Sequence, residues 1–262
     1  MKTKKMLLAI IAIAGLSIPC FGESLTIKGS TTVLPIAQAC AEEFMDENSD
    51  VDISVQGGGS SVGIASLIDK TTDIADASRA MKDTELAKAG SNGVDPKAHV
   101  VAMDGIAIVV HPSNSNVNAL TKKQIKQIYT GAISDWSHLG GSPGKIVVVS
   151  RDTSSGTFEA FNELVLNKEK VRTDALMNAS NQAVASIVAK TPGAIGYVGL
   201  GYVSNDIKAI TVDGIEASKE TVLLGKYPVS RPLFMYTNGK PQGAVKEFID
   251  FVLSENGQKI AD

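Results

Sequence analysis

The sequence predicts an α/β protein. Short β-branched or alternating runs are followed repeatedly by segments of helical periodicity, and the joints between them are rich in Gly, Ser and Thr. The chain of 262 residues is long enough for one large domain or two moderate ones. In order, strands are expected at 24–29, 51–57, 73–78, 105–111, 145–150, 194–198 and 232–237. Helices are expected at 34–47, 61–70, 82–90, 121–129, 157–167, 181–190 and 241–254. Pro192-Gly193 stops the sixth helix and Pro241 is placed to start the last. Strands alternating with helices imply largely parallel sheets. Two Pro-bearing extended segments, IVVHPSNS (108–115) and YPVSRPLFMYT (227–237), are expected to carry the chain between lobes. No internal repeat or low-complexity tract interrupts this pattern.

The first residues have a different character. A basic start (Lys2, Lys4, Lys5), an apolar run from Met6 to Ile18 and the small residues of PCFGES predict a secretory signal peptide over 1–22, cut after Gly22. The run is shorter than the ~20 residues that a membrane-spanning helix needs. Lipidation at Cys20 is the alternative anchor, disfavoured by Pro19 where a small residue is wanted. Either way the chain is expected in the periplasm or cell envelope, and Cys40 is left alone, read as a buried thiol on a helix with no disulfide. Losing three lysines and no acid takes the net charge from −3 to −6. That balance argues against a nucleic-acid partner.

Three times a strand runs into a Gly/Ser/Thr loop and then a helix: KGSTTVLP (28–35), QGGGSSVG (56–63) and SRDTSSGT (150–157). The first amides of a helix lack internal partners and sit at the positive end of its dipole, so such junctions bind anions. The hydroxyls of Ser30, Thr31, Thr32, Ser60, Ser61, Ser155 and Thr157 either cap their own helices or donate to a ligand. Arg151 is the expected cation, because its fork grips two oxygens of one anion. Arg79 is a second candidate. Converging, these groups suit a small tetrahedral oxyanion.

Chemistry is less well supported. GSSVG (59–63) matches the G-x-S-x-G nucleophile pattern with Ser61 at its centre, but the three histidines, His99, His111 and His138, offer no evident base. Phosphate-loop and dinucleotide signatures are missing, and one cysteine with scattered histidines builds no metal site. No catalytic residue, metal or cofactor is expected.

The motifs GSTTVLPI, GGGSSVGI, DIADASRAMK, DGIAIVVHP, LTKKQIKQIYTGAISDWSHLGG, VVVSRDTSSGTFEAF, PGAIGYVGLGYV and YPVSRPLFMYT, in this order along the whole mature chain, resemble the periplasmic phosphate-binding proteins of ABC transporters. The resemblance implies a two-lobed type II periplasmic-binding-protein fold hinged on two crossover segments. Lobe one would be 24–103 with 229–262, and lobe two 104–228. It further implies inorganic phosphate as ligand, membrane ABC permease subunits as partner, a monomer and no enzymatic activity. Phosphate contacts carried over by motif fall on Thr31, Thr32, Ser60, Arg151, Ser155, the Gly156 amide and Thr157, and Ser30, Ser78 and Arg79 are also expected to bind the ligand. Some members of that family place a carboxylate where this sequence has Ser78. That acid accepts the proton of hydrogen phosphate and rejects sulfate, and Asp104 is expected to take its role here; an ion pair with Arg151 or Arg79 is the other reading of Asp104 and does not exclude that role. Sulfate, molybdate or a similar oxyanion is the rival ligand.

Overall fold

A computed structural model describes residues 22–261, so the expected leader, Gly22 apart, and the alternative lipidation site Cys20 lie outside the described residues. The elements run β1 (Glu23–Gly29), α1 (Leu34–Glu47), β2 (Val51–Gln56), α2 (Ser60–Ile68), β3 (Ile74–Ala77), α3 (Asp83–Ser91), β4 (Pro96–Val110), β5 (Ala119–Leu120), α4 (Lys122–Thr130) and β6 (Val147–Arg151). They continue with α5 (Gly156–Leu164), β7 (Leu176–Asn178), α6 (Asn181–Lys190), β8 (Ala194–Gly199), β9 (Lys208–Val212), α7 (Lys219–Leu223), β10 (Ser230–Asn238), α8 (Gly243–Leu253) and α9 (Glu255–Ala261).

The strands join in the order β2-β1-β3-β10-β4-β8-β6-β7. β1 pairs in parallel with β2 and β3, and β6 in parallel with β7 and β8. Between these halves β4 and β10 run antiparallel to their neighbours, so the sheets are mixed rather than largely parallel. The cause is the long β4. Its first part pairs with β10 as far as Gly105, and from Ile106 onward it pairs with β8, so one strand serves both halves. Val229 and Ser230 run beside this change of partner: the Ile106 amide donates to the Val229 carbonyl at 2.8 Å. The crossing therefore lies at 104–106 and 229–231. IVVHPSNS lies beyond it, since Ile108 to Val110 pair with β8 and β9.

Each half has its own core. Leu25, Ile27, Phe44, Ile74, Met235 and Phe248 are buried in one, and Ile106, Ile108, Tyr129, Trp136, Phe161 and Tyr197 in the other. The burial follows from patterning. β1 alternates, with Leu25 and Ile27 inward, whereas β3 and β8 are flanked on both sides and every residue is buried. Cys40 is fully buried on α1, and burial raises its thiol to about 11, which makes it inert at neutral pH. Helix limits follow local chemistry: Thr121 and Gln124 form a capping box at the start of α4, and Gly131 in the left-handed region closes it. Pro241 does not start the last expected helix. That helix begins at Gly243, after Gln242 at the N-cap.

Candidate anion site between the two lobes

The three hydroxyl-rich loops meet. The Ser61 amide donates to the Ser154 carbonyl at 3.0 Å, and Ser154 Oγ donates to the Gly58 carbonyl at 3.3 Å. Thr32 and Thr157 Oγ1 atoms lie 2.9 Å apart, although 125 residues separate them in the chain. Gly156 marks the closest approach, because a Cβ there would stand 2.3 Å from Ser60 Oγ and 2.7 Å from Ser78 Oγ. Gly59, at φ +99°, is needed on the facing side, where a side chain would strike the Ser154 carbonyl. Ser30, Thr31, Thr32, Ser60, Ser78, Ser155 and Thr157 are all buried here.

The hydroxyls divide their work. Ser30 Oγ accepts from the Thr32 and Val33 amides, and Ser155 Oγ accepts from the Phe158 amide as N-cap of α5. Ser60 Oγ accepts from the Ser78 amide at 2.9 Å and lies 3.2 Å from Ser78 Oγ. Asp152 shapes its own loop, with Oδ1 accepting from the Ser154 amide and hydroxyl. Phe161 stacks on Tyr197 at 4.0 Å between centroids, and Tyr197 Oη accepts from the Arg151 amide at 3.0 Å, fixing the end of β6.

Two further buried polar residues of this junction were not singled out from the sequence. Asn181, at the start of α6 and fully buried, donates through Nδ2 to Thr31 Oγ1 at 3.2 Å and Thr32 Oγ1 at 3.0 Å. Its Oδ1 accepts from the Gly199 amide, which fixes the amide orientation. Arg231, at the crossing, donates through Nη2 to Thr157 Oγ1 at 2.9 Å and Thr32 Oγ1 at 3.3 Å. Asn Nδ2 and guanidinium donate only, so Thr32 Oγ1 accepts from both and its own proton is left for Thr157 or a ligand. The signal for Arg231 was an arginine inside the apolar strand SRPLFMY. Asn181 had none beyond its helix start.

Asp104 pairs with Arg231, not with Arg151 or Arg79. Its Oδ2 accepts from Arg231 Nη2 at 3.0 Å and Nε at 3.3 Å, and its Oδ1 from the Leu200 amide at 2.9 Å. Burial raises the Asp104 carboxyl above its ordinary value and lowers Arg231, while the ion pair opposes both shifts. Arg151 is 1% exposed, and Nε and Nη2 donate to the Asn178 and Ala179 carbonyls. Burial lowers its pKa, Tyr197 and Asp152 oppose that shift, and the nearby Arg231 charge adds to it.

Arg79 is engaged outside this cluster. It forms a fork on Glu85 with both contacts at 2.8 Å, donates to Ser61 Oγ at 3.0 Å, and brings Nε to 2.8 Å from Glu159. Ser61 therefore faces an arginine and a carboxylate. His99 bonds Thr237 and His111 bonds Ser113, so neither is its base.

The chain matches the PBP superfamily domain model over residues 20–256. It is 37% identical over 240 residues to the phosphate-binding protein PstS of Bacillus subtilis, covering 90% of this chain and 77% of that protein. The PstS of Staphylococcus epidermidis is 34% identical over 248 residues, covering 90% and 76%. Among solved structures, a phosphate ABC transporter substrate-binding protein from Clostridium perfringens with bound phosphate superposes with TM-score 0.85 at 40% identity, covering 91% of this chain and 96% of that one. An ABC-type phosphate transport receptor from Vibrio cholerae gives 0.73 at 32% identity, covering 90% and 96%. A two-lobed α/β fold, a hydroxyl-rich junction between the lobes and these matches lead to one assignment: the chain belongs to the PBP superfamily and, within it, to the PstS phosphate-binding proteins.

Proposed function

We propose that the protein is an extracytoplasmic receptor that captures inorganic phosphate between its lobes and delivers it to an ABC-type permease, making and breaking no bond. The observation that carries this is a charge imbalance. Arg231 is buried among hydroxyls of both lobes and Arg151 is buried at the root of the third loop; Asp104 is the one carboxylate hydrogen-bonded to either side chain among the described residues, and Asp152 adds a field at Arg151 without bonding it. Arg79, by contrast, is matched by Glu85 and Glu159. Surplus positive charge in a dry, donor-rich junction is what a small oxyanion completes.

On this reading the lobes are 24–103 with 229–262 and 104–228. Phosphate is held by Thr31, Thr32, Ser60, Ser78, Arg151, Ser155, the Gly156 amide and Thr157, and Arg231 and Asn181 complete the set. Contacts from both lobes give the closed form the higher affinity, so ligand drives closure. The leader exports the chain, which acts as a monomer and binds no nucleic acid. Calorimetric titration with phosphate, sulfate and molybdate tests the assignment: phosphate is expected to bind tightest, and tight molybdate binding with no heat from phosphate would reject it.

Asp104 is the proposed acceptor for the proton of hydrogen phosphate, through Oδ1, which accepts from the Leu200 amide and keeps a lone pair, whereas the two Arg231 bonds take up Oδ2. Asp104→Asn is then expected to narrow the preference for phosphate over sulfate by roughly tenfold or more, the size of one charged hydrogen bond. An unchanged ratio in the titration removes Asp104 from that role.

A further inference from the structure

We infer that Glu159 is a positioning residue for ligand capture: a carboxylate on the second lobe that locks the closed cleft by pairing with Arg79 and Lys82 of the first, and so sets the rate of release. The inference rests on the phosphate-capture reading above.

Glu159 lies on α5 within one turn of Ser155, Gly156 and Thr157. Its partners come from three places on the opposite lobe. Oε2 stands 2.8 Å from Arg79 Nε, just beyond β3, and 2.9 Å from Lys82 Nζ, at the N-cap of α3. Oε1 accepts from Ser61 Oγ, in the first turn of α2, at 3.5 Å. The Arg79 contact lies off the N–H axis, an ion pair rather than a directed hydrogen bond. All these contacts cross the cleft, so opening breaks them together.

Arg79 is held ready for this contact within its own lobe. Glu85 grips Nη1 and Nη2, and the Ala80 carbonyl accepts from Nη1, so Nε is presented whether or not Glu159 is near. A partner ordered in advance loses little freedom when the lobes meet. Burial favours the contact further: the Arg79 and Glu159 side chains are 8% and 19% exposed, which screens them less than an open surface pair. Lys82, at 52% exposed, makes the more solvent-screened and so the weaker of the two contacts. Within the first lobe Glu85 is the one carboxylate ion-paired with Arg79 among the described residues, and Glu159 adds a second partner for Arg79 and a close one for Lys82 on closing. The rim cluster then has no charge left for the ligand, which reassigns Arg79 from anion contact to lock.

A bond made after capture slows release without aiding encounter. Stopped-flow phosphate binding should therefore show Glu159→Gln releasing phosphate roughly three- to tenfold faster, with association changed by less than about twofold. Raising NaCl from about 50 to about 500 mM should speed release from the wild type and leave the variant unmoved. Glu159→Asp should recover part of the slow release. An unchanged release rate, equal changes in association and release, or the same salt response in both proteins overturns the lock. Calorimetry of the wild type separates its failure from that of the phosphate reading: no heat from phosphate rejects that reading, whereas tight phosphate binding with an unchanged release rate in Glu159→Gln overturns the lock alone.

Discussion

Arg231 ties the hinge to the site, because one guanidinium bonds Asp104, Thr32, Thr157 and the Ser78 carbonyl at the crossing itself. Lysine would keep its charge and lose its planar fork, so it could not serve these acceptors together. Arg231→Lys is expected to weaken phosphate binding by about 10- to 100-fold, one charged hydrogen bond or slightly more, read by calorimetry. Retained affinity would place Arg151 alone in charge of the anion. A second buried group acts on stability instead. Asp76 on β3 is 1% exposed, its Oδ1 has no hydrogen-bond partner among the described residues, and burial holds its carboxyl well above the ordinary 3.8. Below that ordinary value both folded and unfolded chains are protonated, and Asp76 costs nothing. As pH rises past it the unfolded chain ionises while the folded one keeps its proton, so stability falls by at most about 1.4 kcal/mol per unit until the folded value is reached. Asp76→Asn should remove this decline, seen as a smaller drop in urea midpoint between about pH 5 and 7 than in the wild type.

At the scale of elements, the start of α5 decides whether the lobes can meet. Gly156 is helical, so alanine suits its backbone, yet the added methyl would collide with Ser60 and Ser78 across the cleft. Gly156→Ala should thus leave the melting temperature of the ligand-free protein nearly unchanged and cut phosphate affinity by roughly 100-fold or more, since the strain falls on closure alone. A large loss of ligand-free stability would mean instead that the two lobes stay closed without ligand. The helices were legible because their signals are local: the expected 34–47 and 181–190 coincide with α1 and α6. β4 was legible only from Gly105, because Pro96 to Asp104 alternates irregularly with Lys97 and His99 exposed or half-exposed. Its pairing with β10 extends it, together with a bulge between Leu233 and Phe234. β7, β9, α7 and α9 are three to seven residues long, too short to establish a period.

Across the whole molecule, the three loops could be read because each carries its hydroxyls in one run of residues. Arg231 and Asn181 could not, since they reach Thr32 from 199 and 149 positions away and only the folded topology brings them there. On the proposed contacts, one ligand bridges two lobes with separate cores, which has a thermodynamic consequence. Phosphate at a hundred times its dissociation constant should stabilise the native state by about 2.7 kcal/mol, a rise of roughly 5–10 °C in melting temperature for a chain of this size. The single tryptophan, Trp136, is buried in the second core, so its fluorescence follows that lobe, whereas far-ultraviolet circular dichroism follows both. If, as proposed, Thr31, Thr32 and Ser60 hold the anion from one lobe and Arg151, Ser155 and Thr157 from the other, both transitions should rise together on adding phosphate, and sulfate should move neither appreciably. A full shift in fluorescence beside a circular-dichroism transition that splits, its earlier part staying at the ligand-free midpoint, would mean that the second lobe holds the anion alone, and the contacts assigned to the first would have to be withdrawn.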